Sequence, residues 1–168
     1  METSTRQDHS PHGAARTRRA STKDAPPQLG YWHIWVDGQG VSHQSRCALS
    51  AFDLHGIGPA MPQWNNKQPE SHATVVFTVQ PVDWLGEWHE NPEPQWIVPL
   101  SGRWWVESMD GTRIEMGPGE ISLGEDQHCT QDAEGRKGHR SGTIGSAPVA
   151  LMTVRLSTPP VARPCHKR

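Results

Sequence analysis

Between residues 30 and 156 the apolar positions fall in short runs, and no window keeps a helical period for longer than two turns. Residues 31–36 (YWHIWV) are aromatic and β-branched and predict a strand, closed by the turn Asp37-Gly38-Gln39-Gly40. Residues 41–54 form a second extended stretch with a break near Arg46 and Cys47, and 55–72, rich in Gly, Pro, Asn and His, read as a long loop. The β-branched run 73–79 (ATVVFTV) predicts a buried strand. Strands follow at 95–100 and 103–109, and Asp110-Gly111 is a hairpin signal leading into 112–116. Gly117-Pro118-Gly119 feeds a strand at 120–123, residues 125–138 form a polar loop, and 139–144 and 149–156 supply the last strands. Many short strands joined by Gly-containing turns predict an all-β sandwich or small barrel, and the lack of an internal repeat argues against a propeller.

The flanks have a different composition. Residues 1–29 hold almost no bulky apolar side chain and cannot bury enough surface to offset their ordering entropy, so they read as a disordered tail. Residues 157–168, with Pro159, Pro160 and Pro164, read as a second, flexible tail, leaving one domain over 30–156. The formal net charge of −2 is unevenly spread: 1–29 carry five basic and three acidic groups, 157–168 three basic and none acidic, and the middle eight basic against fifteen acidic, or −7. A folded part of that sign repels phosphate backbones, so nucleic acid is not an expected partner. No apolar run is long enough for a membrane-spanning helix, and no apolar h-region marks a secretory signal. Cys47, Cys129 and Cys165 are scattered, with no CxxC, which favours free thiols in the cytoplasm over a disulfide framework.

Two segments carry candidate chemistry. The first is Gly86-Glu87-Trp88-His89-Glu90-Asn91-Pro92-Glu93-Pro94-Gln95, with Gly102 beyond it. The second runs from Asp110-Gly111 through Gly117-Pro118-Gly119-Glu120 to Gly138-His139-Arg140-Ser141. Over about residues 30–156 the chain resembles the cupin superfamily, in particular the small single-domain cupins. Their first motif reads G-x5-H-x-H-x3,4-E-x6-G, and their second centres on a PGD-type turn and a later His. The aromatic strand, Asp-Gly turn and Val41-Ser42-His43 look like the opening hairpin of the same group. The resemblance implies a jelly-roll barrel whose inward side chains converge on one site. It also implies a divalent metal (Fe, Zn, Ni or Mn) held by His89, His139 and the residue at the carboxylate position. Here that residue is Gln95, and Asn91 stands where the second His belongs. A neutral amide is a poor ligand, and two imidazoles alone bind first-row metals weakly. Glu87, Glu93, Glu125, Asp126 and His128 lie close enough in sequence to complete a coordination sphere.

The same residues suit metal-free chemistry, with His89 and His139 as general base and acid and Gln95 orienting a carbonyl. Two functions are therefore expected as alternatives. One is an enzyme acting on a small organic, possibly aromatic or cyclic, molecule as an isomerase, dehydratase or cyclase, lyase or oxygenase. The other is a non-catalytic ligand-binding cupin. Eight tryptophans against two phenylalanines and one tyrosine make Trp88, Trp96 and Trp104 candidate pocket walls, with Asn91 beside them and Arg140 placed to meet an anion. Adjacent Trp104 and Trp105 must face opposite ways, so one needs cover from a partner strand or subunit, which argues for a homodimer. No P-loop, Rossmann fingerprint or G-x-S-x-G elbow is present, so no nucleotide cofactor is expected.

Overall fold

The computed structural model describes residues 25–160 and Cys165, and the described residues contain strands and no helix. Eleven strands follow in chain order: β1 (Leu29–Val36), β2 (Ser42–Leu49), β3 (Asp53–His55), β4 (Gln63–Asn65), β5 (Ala73–Gln80), β6 (Gln95–Ser101), β7 (Arg103–Ser108), β8 (Arg113–Met116), β9 (Ser122–Glu125), β10 (His139–Ile144) and β11 (Val149–Leu156). They form a six-stranded sheet ordered β2-β1-β9-β6-β11-β5, a three-stranded sheet ordered β10-β7-β8, and the small β3-β4 hairpin. Only β1 and β9 pair in parallel; every other pairing is antiparallel. No helix among these residues is long and apolar enough to cross a membrane.

Strand alternation decides what each sheet puts inside. Ile34, Ile97, Val149 and Leu151 of the large sheet meet Trp104, Val106 and Met116 of the small one in a single buried cluster. The reverse side of the large sheet holds a second cluster, Tyr31, Cys47 and Leu123, with Trp96 packed against it. The sheets face each other as layers, and ladder hydrogen bonding does not close them into a barrel. Along one side they are laced by side chains: Gln44 donates to the carbonyls of Val106 and Thr112 at 3.1 and 2.7 Å, and the Met109 amide donates to Ser42 Oγ at 2.8 Å.

Several expectations need correction. β2 runs unbroken through Arg46 and Cys47, because all eight of its residues pair with β1. The long loop contains β3's partner β4, and β9 begins two residues later than the 120–123 strand. The run 73–79 is a strand but not a buried one. β5 lies at the sheet edge with Val75, Phe77 and Val79 more than half exposed, because a β-branched run reports strand propensity without reporting cover. Trp104 and Trp105 are both buried within one chain: the Arg113 guanidinium lies 3.9 Å from the Trp105 ring centre, so no subunit is needed to cover it. Cys47 and Cys165 form a disulfide instead of remaining free thiols, tying part of the 157–168 segment to β2. Of the 1–29 tail, Leu29 already belongs to β1 and 25–28 carry no strand; residues 1–24 lie outside the described residues.

One polar staple joins the turn ends of the two sheets. His43 on β2 lies between Asp37 of the β1–β2 turn (3.0 Å) and Asp110 of the β7–β8 turn (2.8 Å), stacked on Trp35. Partial burial of His43 disfavours its charge, but the hydrogen bonds and charges of Asp37 and Asp110 outweigh it and raise the His43 pKa. Asp37 is held down to about 2, first by the hydrogen bond from His43 and then by the Val41 amide. A raised histidine pKa gives stability that is complete below the unfolded value of about 6.5 and is lost as pH rises through the folded value. The Asp37 contribution is complete above its unfolded value of about 3.9 and is lost as pH falls toward 2. Melting temperature should therefore fall more steeply between pH 6 and 9 for the parent chain than for His43→Gln. Parallel curves would remove the staple from the account.

Candidate functional site

The segment before β6 folds back onto β10 through two bridges, Leu85 with Gly142 and His89 with His139. The His89 and His139 backbones exchange both N–H···O bonds at 2.8 Å. Gly138 makes this approach possible: its φ of +80° suits glycine, and a Cβ there would collide with the His89 carbonyl. Its own carbonyl accepts from the fully buried Ser42 hydroxyl, so β2 fixes the residue that precedes His139. The imidazole centres of His89 and His139 stand 4.5 Å apart. His139 is buried, whereas His89 is exposed at the rim.

Behind His139 lies a buried polar relay. His139 Nδ1 is 2.6 Å from Asp126 Oδ2, while Asp126 Oδ1 accepts from the Asn91 amide at 2.9 Å and from Asn91 Nδ2 at 2.6 Å. Asn91 Oδ1 in turn accepts from Gln95 Nε2. Gly124 leaves room for this arrangement, since a Cβ there would strike the Asn91 amide. Burial works to raise the Asp126 pKa, but the facing His139 and the hydrogen bonds from His139 and Asn91 prevail and lower it. An ionised Asp126 can only accept, so the His139 nitrogen facing it, Nδ1, carries a proton, and Nε2 is the ring nitrogen that Asp126 does not engage. His89 Nδ1 is likewise engaged, 2.7 Å from the Glu87 carbonyl. Cys129 also touches Asp126, through its backbone oxygen; burial and the Asp126 charge push its thiol up to about 11, so it is no nucleophile at neutral pH.

The structure thus brings together His89, His139, Asn91, Gln95 and Asp126, and it separates the others. Register pairs His139 with Ser108 and Thr143 with Trp104, so these share the inner face with the core, whereas Arg140 pairs with Glu107 on the opposite face. There Arg140 makes two bonds to Glu107, at 3.0 and 3.1 Å, and lies over Trp88, so neither residue reaches His139. Trp96 alternates with Gln95 and packs on Tyr31 on the reverse of the large sheet, 5.2 Å between ring centres. Of the candidate aromatic walls only Trp104 is on the inner face. Glu87, Glu93 and His128 are exposed, and Glu125 pairs with His33 at 2.6 Å.

Several buried polar atoms on the inner face have no hydrogen-bond partner among the described residues: Gln95 Oε1, Trp104 Nε1, Ser122 Oγ, Thr143 Oγ1 and Arg155 Nε. Buried polar groups are normally satisfied, and these five lie on the same face of the sheets as the relay. A resident divalent metal fits less well. Two imidazoles and a neutral Gln95 amide form a weak donor set, and among the described residues no cysteine or carboxylate joins the two imidazoles in a three-ligand group. No family model matches the chain, and no curated protein matches it as a relative.

Replacing Asp126 with Ala leaves His139 and Asn91 without their shared acceptor. A loss of about 3–5 kcal/mol in urea unfolding is expected, with Asp126→Asn retaining part of it. In the parent chain, nitrogen NMR of the neutral ring should place the His139 proton on Nδ1. An Nε2-protonated ring would overturn the relay.

Proposed function

We propose that the chain is a cupin-type jelly-roll enzyme that moves protons on a small oxygen-rich organic molecule held against the inner face. The observation that carries this reading is the buried Asp126–His139 hydrogen bond, which orients one imidazole and leaves its second nitrogen unengaged by the carboxylate. His139 Nε2 takes a proton from carbon beside a carbonyl, and His89 at the rim returns one, giving isomerisation or loss of water. Gln95 Oε1 accepts from a substrate hydroxyl, and the Trp104 and Arg155 N–H groups donate to carbonyl or carboxylate oxygens. No step passes through a metal, because the donor set does not favour one.

Proton abstraction is measured directly by incubating the protein in D2O with a panel of small keto acids, hydroxy acids and cyclic ketones. Exchange of a C–H for C–D should be catalysed for at least one compound and fall about 10²–10⁴-fold in His139→Ala. Saturable binding without exchange would replace the enzyme by a non-catalytic ligand-binding cupin. Neither binding nor exchange would end both readings.

We also propose that the chain forms a homodimer through β5. Among the described residues this strand is a sheet edge with no Lys, Pro or bulge to blunt it. Val75, Phe77 and Val79 share one face, with Phe77 70% exposed, and Val82 just beyond the strand is also exposed. A stable interface needs about 800 Å² per partner. Three exposed apolar side chains on one face of an eight-residue edge supply its centre. A second copy suits this uncharged edge because antiparallel self-pairing sets Phe77 beside its symmetry mate without opposing like charges. Light scattering at micromolar concentration should give a dimer for the parent and a monomer for Phe77→Lys; a monomeric parent would refute the interface.

A further inference from the structure

The reverse face of the large sheet carries a second cluster of chemically capable groups. Tyr31 of β1 pairs with Cys47 of β2, which places His33, two residues along β1 on the same face, beside the Cys47 side chain. Cys165 arrives from the far end of the chain. The ligand atoms of His33, Cys47 and Cys165 all lie within 4.8 Å of one another. His33 is 1% exposed, and its Nε2 is 2.6 Å from Glu125 Oε2.

We propose that this cluster is a redox-gated metal site: with the Cys47–Cys165 disulfide reduced, Cys47, Cys165 and His33 bind one zinc-class divalent cation. Two thiolates and an imidazole are the donor set that zinc selects, with a fourth position left for water or a carboxylate. Tetrahedral zinc at about 2.3 Å from each sulfur needs the sulfurs roughly 3.7 Å apart. Cα atoms 5.7 Å apart accommodate that spacing. A carboxylate hydrogen-bonded to a ligating histidine is the usual means of orienting its ring, and Glu125 is placed for that role. The alternative, a core histidine paired with Glu125 for structural reasons alone, explains the 2.6 Å contact but not two cysteines 118 residues apart meeting the same ring.

The chemistry balances with a dithiol reductant of the thioredoxin class. Its thiolate attacks one sulfur of the Cys47–Cys165 bond, its second thiol closes the new disulfide, and two electrons and two protons pass to the protein sulfurs. The cation then displaces both thiol protons. In either state, by disulfide or by metal, residue 165 stays fastened to β2. Only the reduced, metal-free chain releases it. In the cytoplasm, where disulfides are reduced, the metal-bound state is the one expected.

The full-length chain, reduced with a phosphine under anaerobic conditions, should be titrated with Co2+. The expected result is one Co2+ per chain with thiolate-to-metal charge-transfer bands and intense tetrahedral d–d bands, reversed by Zn2+; the oxidised chain should give neither. Cys165→Ser changes an exposed position and is the primary variant; it should abolish the charge-transfer bands while melting remains cooperative. Glu125→Gln should weaken affinity roughly 10–100-fold. Absence of the bands in the reduced parent chain, or bands unchanged in Cys165→Ser, would overturn the site.

Discussion

A carboxylate with no solvent exposure sets the terms for the site. Asp126 stays ionised because both of its oxygens accept hydrogen bonds, Oδ1 twice from Asn91 and Oδ2 from His139, and stranding such a charge costs several kcal/mol. Its partners come from two separate stretches, Asn91 before β6 and His139 at the start of β10, while Asp126 itself follows the end of β9. Satisfying one group therefore docks the small sheet's edge onto the large sheet at a defined place. The His89–His139 bridge and the Ser42–Gly138 hydrogen bond act at the same spot, so the His139 imidazole is carried by paired backbone instead of a loop tip.

The period of two along each strand distributes the remaining chemistry. Gln95 faces inward to the relay while Trp96, one residue on, faces outward to Tyr31. His139 faces inward while Arg140 turns out to Glu107. Trp104 joins the core while Trp105 lies under Arg113. A pocket wall and a surface aromatic are thus neighbours in sequence, and composition alone cannot distinguish them. The abundance of tryptophan around the first motif consequently serves three places: the core, the Tyr31 cluster and a cation-stacked outer face.

What could be read along the chain was whatever depends on local chemistry. The Asp37–Gly40 and Asp110-Gly111 turns and the strands at 139–144 and 149–156 were legible because turn residues and β-branched runs act over a few positions. His89 and His139 were singled out together by residue type and spacing and lie with ring centres 4.5 Å apart, and Asp126 stood among the candidates without a role. What escaped depends on partners far away in sequence. The exposure of β5 follows from its place at the sheet edge, and the run ATVVFTV would look the same at the centre. Cys47 and Cys165 are 118 residues apart, and no spacing rule links them. The side on which Trp96 and Arg140 fall needed the register, since a shift of one residue would exchange inside for outside.

The two faces of β1 show why one strand can serve unrelated chemistries. Ile34 belongs to the inner core beside the relay's sheet, whereas His33, next to it, belongs to the reverse face with Cys47 and Cys165. The backbone between them is fully paired on both sides, to β2 along its whole length and to β9 over four residues. Such a strand transmits little of a change on one face to the other, because altering its register would break both ladders. Reduction or metal binding at the sulfurs is therefore expected to alter the hold on the C-terminal segment while leaving the geometry of His139 in place.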